Sequence, residues 1–212
     1  MYKFKNQTQK MVLTAAFAAI IIVMANVPFL GFIRLGIISA TTLHIPVIIG
    51  AVLLGARSGA FLGFIFGSTS CIQATFQPNL TSFCFSPFYS VGELHGNFWS
   101  LVVCFVPRIL IGVIAYFVFA GLMKVLKGKR KVKETIALPI AGIAGSMTNT
   151  ILVMGGIYVF FGEQYASVLE IGGVLYKAIL AVVVGNGIPE AIVCAILVTM
   201  IGKALLHFVE VQ

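Results

Sequence analysis

The sequence contains no aspartate: its six acidic residues are all glutamates, set against 14 lysines and arginines. This disfavours chemistry that relies on aspartate, such as an aspartyl dyad or an aspartate-held magnesium ion. Charge of either sign is scarce, at 9% of residues, where a soluble domain carries about 25%. The four cysteines, Cys71, Cys84, Cys104 and Cys194, never form C-x-x-C, so zinc and redox signatures are missing. Cys71 and Cys84 lie close enough in sequence to meet in an outer loop, but buried free thiols are the better reading. The three histidines are His44, His95 and His207. No H-E-x-x-H, G-x-S-x-G or P-loop accompanies them. Glu93 and His95 share one polar loop and read as solvated rather than as an acid–base or metal pair. The residues imply no cofactor, and without a nucleotide site the chain cannot energise transport by itself.

Apolar residues are abundant. They make up 60% of the 212 residues, and mean hydropathy is +1.09. About 20 apolar residues cross a bilayer as a helix, which leaves room for five to seven spans. The chain therefore reads as one membrane-embedded, all-α domain over residues 1–212. The net charge of +8 points to basic cytoplasmic loops rather than to nucleic acid.

The first apolar run, Met11–Pro28, follows Lys3, Lys5 and Lys10. It resembles a signal peptide, but the further spans make it a retained first helix. Residues 29–43 hold Arg34 and two glycines and are too broken for a span. His44–Gly55 and Gly59–Cys71 form a hairpin of two short helices around the turn GARSG. Residues 72–97 are polar and aromatic, the kind of long loop that often serves as a lid. The fourth helix lies within Phe98–Val125, with Pro107 at its start or at a kink. The fifth covers about 136–161. Residues 171–206 exceed one span and are broken at Gly185-Asn186-Gly187-Ile188-Pro189. That pattern predicts an interfacial helix at 174–184 and a sixth span at 188–206, with Asn186 near its N-cap and Pro189 in its first turn.

Six spans place both termini on one side. The inner loops and ends then carry Lys3, Lys5, Lys10, Arg57, Lys124, Lys127, Lys129, Arg130, Lys131, Lys133 and Lys203. Only Arg34, Arg108 and Lys177 fall in the outer half, so the positive-inside rule puts both termini inside.

Two constellations stand out. Small residues recur at a spacing of four, which lets helix backbones approach closely in lipid. Gly55, Gly59, Gly63 and Gly67 read as packing within the chain, whereas Ala15 and Ala19 read as a docking face for a partner. The second constellation is a polar layer. Asn26, His44, Arg108, Asn149, Asn186 and Glu190 each lie roughly 13–17 residues from the inner basic end of their helix, or about 20–26 Å. Polar residues at such depth face a cavity or one another. Arg108 paired with Glu190 is one outcome, and the lining of a ligand pocket is the other. Above the layer, Phe83, Phe85, Phe88, Tyr89 and Trp99 suit a lid over a small organic molecule, although Tyr89 and Trp99 equally suit an interfacial aromatic belt.

The block Ile33–Cys71 resembles the substrate-binding S components of energy-coupling factor (ECF) vitamin transporters. So do Pro107-Arg108-x-x-x-Gly112, Asn149 and Asn186-Gly187-Ile188-Pro189-Glu190. The resemblance covers nearly the whole chain. Ala56 departs from it, standing where many relatives have proline. The resemblance implies a six-helix, RibU-like vitamin-binding subunit of the prokaryotic plasma membrane. It would dock through Ala15 and Ala19 on a T component (EcfT) that carries two ATPase subunits (EcfA and EcfA'). The stretch FIRLGIISATTLHIP looks most like pantothenate subunits. On that reading Arg108 would face a carboxylate, with Asn149 and Asn186 on the amide and hydroxyls. Another vitamin, such as riboflavin, hydroxymethylpyrimidine or pyridoxine, is the near alternative. An intramembrane enzyme using Glu93, His95 or Glu190 is the distant one.

Overall fold

The computed structural model describes residues 7–27, 30–35, 38–92, 94–168 and 174–211, without the side chains at 32–35, 38–40, 91, 94 and 208–211. Pro28, Glu93 and the side chain of Arg34 lie outside that description. Seven helices carry the fold: α1 Gln7–Asn26, α2 His44–Leu54, α3 Ala56–Phe76, α4 Phe98–Val125, α5 Arg130–Val168, α6 Leu175–Val182 and α7 Ile188–Val211. A π turn, Val183–Gly187, joins the last two. Among the described residues five stretches are long and apolar enough to cross a membrane: α1, α3, α4, α5 and the joined Leu175–His207. Helix α2, with 11 residues, spans only about 16 Å.

Helix α2 is the centre of the bundle. Every one of its residues is buried, as expected of a helix that is apolar on all sides, and α1, α3, α4, α5 and α7 all pack against it. Its Ile48 joins Leu62 of α3, Ile111 of α4, Leu138 of α5 and Val198 of α7 in the main core. A second core forms beneath the loop before α4, where Phe83 meets Val103, Ile157, Phe161 and Ile179. Large side chains on the outer faces, such as Val23, Phe117, Val159 and Met200, remain exposed. In a bilayer these faces meet acyl chains.

The glycine series packs α3 on α4. A Cβ at Gly63 would strike the backbone carbonyl of Arg108, and one at Gly59 would come within 2.6 Å of the Ala51 Cβ. Gly112 returns the contact against the Gly59 backbone. Gly55 alone makes the α2–α3 turn, at φ +99°, a conformation that costs glycine little.

The structure corrects three boundaries and chooses between the two readings of Pro107. Helix α3 is a full 21 residues, not a short segment ending at Cys71. Its last turn finds protein partners for its polar groups: Gln73 Nε2 donates to the Ala25 carbonyl at 2.8 Å, and Thr75 Oγ1 meets Ser86 Oγ at 2.7 Å. Pro107 lies inside α4. The start of α4 is set instead by a capping box, in which the Asn97 side chain accepts from the Trp99 N–H and Ser100 Oγ accepts from the Asn97 N–H. Helix α5 extends past both expected ends to 39 residues, about 58 Å, and so protrudes from a hydrocarbon core of about 30 Å. The break expected at 185–189 is the π turn, and the helix runs on through it. Pro189 lacks an N–H, but the wider turn has already interrupted the regular ladder there. Asn186 is therefore inside that turn and not an N-cap.

Two short antiparallel hairpins add to the helices: 32–35 with 38–41, where Phe32 faces Thr41, and 90–91 with 94–95, where Ser90 faces His95.

Candidate functional site

Where α3, α4, α5 and the π turn meet, they enclose a cavity of about 170 Å³. Each element contributes polar groups. Helix α3 supplies Ser70 and Gln73, α4 supplies Arg108, and α5 supplies Asn149, Thr150 and Tyr165. The π turn supplies Asn186 and Gly187, the first turn of α7 supplies Glu190, and the end of the first hairpin supplies Thr41. Apolar surface comes from Phe85, Val153, Met154 and Ile157. This mix of apolar wall and a few converging polar groups is that of a small-molecule site.

Arg108 and Glu190 are the charged side chains among the described lining residues. Arg108 is 6% exposed. Its Nη1 donates to the Val103 carbonyl at 2.9 Å, and its Nε has no partner. The guanidinium lies over the rings of Phe85 and Phe66, at 5.1 and 5.5 Å from their centroids. Aromatic faces favour a cation, but they do not supply the anion that a buried guanidinium calls for. Glu190 is engaged elsewhere, accepting from the Thr41 N–H at 2.6 Å. Among the described residues the ion pair found is Arg130 with Glu134, 2.9 Å apart in the first turn of α5. The Arg108–Glu190 pair weighed from sequence does not form.

Two amides add directional groups. Asn149 Oδ1 and Asn186 Nδ2 are both buried and both without partners. The π turn contributes to this arrangement. Gly187 brings its backbone so near α5 that a Cβ would come within 2.8 Å of Thr150 Cγ2. Turns of this kind recur at functional sites because they widen the helix and re-aim its side chains.

The cover is built by residues 77–85. Asn79 Oδ1 accepts from the Thr81 N–H, Thr81 Oγ1 and Ser82 Oγ, all within 3.1 Å. This Asx-type network holds the 3₁₀ turn Ser82–Cys84 in place. Phe83 is locked beneath it against Phe161, with ring centroids 5.9 Å apart. Phe85 is thereby presented to the cavity.

Of the residues singled out from sequence, Arg108, Asn149, Asn186 and Glu190 converge on the cavity, and four do not. His44 is buried in the first turn of α2 at 2% exposure and is not among the lining residues. Asn26 is exposed, and its side chain folds back to donate to the Ile22 carbonyl at 2.8 Å. Trp99 stacks on Phe160 at 4.2 Å on the outside of the bundle, the placement of an interfacial aromatic. Tyr89 packs against the second core. The depth of a residue along its helix places it at a level but not on a face, and Asn26 and His44 share only the level. The lining residues missed from sequence are mainly Thr41, Ser70, Gln73, Asn79, Thr81, Ser82 and Thr150. The polar face Ser70-x-x-Gln73 of α3 and the cluster Asn79-x-Thr81-Ser82 were the available signals. All four cysteines are free thiols. Ala15 and Ala19 are exposed on the outer face of α1.

Residues 9–202 match the family described as ECF transporter, substrate-specific component. The chain belongs to the ECF S-component family. It is thus the substrate-binding membrane subunit of an ECF-type importer, a multi-pass protein of the prokaryotic plasma membrane and not an enzyme. Two curated relatives share its sequence. The pantothenic acid transporter PanT of Lactococcus lactis subsp. cremoris is 39% identical over 169 residues, covering 79% of this chain and 78% of that protein. The pantothenate transporter PanT of Leuconostoc mesenteroides subsp. mesenteroides is 32% identical over 210 residues, covering 97% and 96%.

Proposed function

We propose that this S component binds pantothenate in the cavity beneath the 77–85 loop. The observation that carries the reading is Arg108, a buried cation lining the cavity with no ion pair to a carboxylate among the described residues and one donor unmet. The carboxylate of pantothenate supplies the missing anion through a charge-assisted hydrogen bond. The unpartnered amides of Asn149 and Asn186 suit the amide and hydroxyls of the ligand, and Val153, Met154 and Ile157 suit its gem-dimethyl carbon. Two relatives named for pantothenate transport support the same ligand. Delivery to the cell interior then requires docking on the T component and its two ATPases. The exposed small-residue face at Ala15 and Ala19 is the surface offered for it. The sidedness inferred from basic-residue placement puts the cavity toward the outer face and both termini inside.

Isothermal titration of the purified chain with pantothenate, its neutral alcohol pantothenol and riboflavin tests the ligand. Saturable binding of pantothenate, much tighter than pantothenol, is expected. Tight riboflavin binding with no pantothenate binding would replace the ligand while leaving the family intact.

A further inference from the structure

The far end of the bundle carries a second concavity, of about 960 Å³. It opens where the start of α1, the α2–α3 turn, the end of α4 and the start of α5 come together. Its wall is apolar, with Leu53, Phe117, Phe119 and Met123, while Lys10, Arg57, Lys124, Arg130 and Lys133 also line it; Arg130 alone of these has an ion pair, to Glu134 at 2.9 Å, among the described residues. No acidic side chain is among the described residues lining it. The cations come from four different elements, so their meeting is a product of the fold and not of one basic run. The Gly55 turn shows how close the approach is. A Cβ on Gly55 would lie 3.9 Å from Lys10 Nζ and 4.0 Å from the Tyr116 ring. Lys133 is drawn toward the end of α4, where its Nζ donates to the Met123 carbonyl at 3.4 Å.

Converging cations repel one another unless an anion joins them. A small soluble anion would satisfy the charge but leave the apolar wall wet. One molecule class satisfies both: an anionic headgroup attached to hydrocarbon chains. We propose that this groove binds an anionic phospholipid of the adjoining leaflet. Its phosphate lies among Lys10, Lys124 and Lys133, and its acyl chains run along the exposed face of α4 at Phe117. Basic pockets between membrane helices favour such lipids. The neighbouring Lys127, Lys129 and Lys131 do not line the groove, and they serve as the internal control.

The test is native mass spectrometry of the full chain released from nanodiscs of phosphatidylcholine doped with phosphatidylglycerol. The unmutated chain should retain one phosphatidylglycerol in preference to phosphatidylcholine. The triple variant Lys10→Gln, Lys124→Gln, Lys133→Gln should lose that retention at least tenfold. The triple variant Lys127→Gln, Lys129→Gln, Lys131→Gln removes equal charge and should stay within twofold of the unmutated chain. Equal losses in the two triples would mean diffuse surface charge and overturn the proposal. Displacement of the lipid by glycerol 3-phosphate, which has the phosphate without the chains, would assign the site to soluble phosphate esters and overturn it as well. So would a chain that shows no lipid preference but needs the groove lysines to hold the T component. Unfolding midpoints in pure phosphatidylcholine nanodiscs check the fold. Should the groove triple misfold, Lys124→Gln alone, on an exposed helix end, should lower retention about threefold, and no change there would overturn the proposal.

Discussion

Arg108 and Glu190 line one cavity from different helices, and they do not pair. Glu190 takes the Thr41 N–H at 2.6 Å, while Arg108 gives one donor to the Val103 carbonyl at 2.9 Å and keeps Nε unmet. The acid therefore fastens the first hairpin to α7, and in the proposed function the guanidinium meets the ligand. Arg108→Ala should weaken pantothenate binding by roughly 1.5–3 kcal/mol, the range for a hydrogen bond to a charged group. Pantothenol binding should change far less, so the mutant loses most of its preference for acid over alcohol. Titration of both ligands against both proteins measures this, and a parallel loss of the two would mean that Arg108 only shapes the cavity.

The second prediction concerns the α3–α4 seam. Gly63→Ala places a methyl group against the Arg108 backbone, where no flexible side chain can yield. Overpacking of this kind costs about 1–3 kcal/mol, and here it also displaces Arg108, which lines the cavity. Gly155→Ala on α5 meets nothing within 4 Å and serves as the neutral comparison. Unfolding midpoints in detergent should fall for the first and hold or rise for the second.

Docking gives the third. Ala19→Trp adds bulk to an exposed face that needs close backbone approach. Co-purification with the T component and ATPases should be lost, and pantothenate binding retained. Equal loss of both would make that face part of the fold.

Orientation gives the fourth. In a cysteine-free background, a cysteine at position 129 should react with impermeant reagent only from the cytoplasmic side. One at position 80 should react only from outside. Reaction of both from the same side would contradict the sidedness drawn from the lysines and arginines.

The π turn gives the fifth. Removing Val184, which is exposed, restores a regular helical pitch between α6 and α7. The extra residue of the wider turn is then gone, and the side chains of 183–187 that the turn re-aims, Asn186 among them, swing away from the cavity. Helix content by circular dichroism should persist while pantothenate binding falls at least tenfold.

Apolar runs of the right length made the helices legible in the sequence, and α4 was read to both ends. Boundaries failed where polar side chains find partners inside the protein. Gln73 and Thr75 look like loop residues until their partners, the Ala25 carbonyl and Ser86, are known. Gly185 to Pro189 looks like a break because the sequence pattern does not separate a π turn from a chain reversal. The cavity was half legible for a related reason. Arg108, Asn149, Asn186 and Glu190 are polar within apolar runs, so they announce themselves. The serines and threonines that line the same space do not, because a hydroxyl in a membrane helix can bond back to its own helix. Thr150 Oγ1 does so, donating to the Ser146 carbonyl at 3.3 Å.

Helix α1 is seated lightly. Of its 20 residues only Ile21 and Ala25 are buried, with Thr14 donating to Ser58 Oγ at 3.3 Å and the Gln73–Ala25 bond as further ties. Most of its surface is therefore unconstrained by the packing of the other helices. No residue of α1 is among the described residues lining the cavity, although the Ala25 carbonyl holds the cavity residue Gln73. With docking on α1 as proposed, ligand choice and partner choice are written on separate parts of the chain. Either can drift, or be exchanged by grafting, without forcing the other to change.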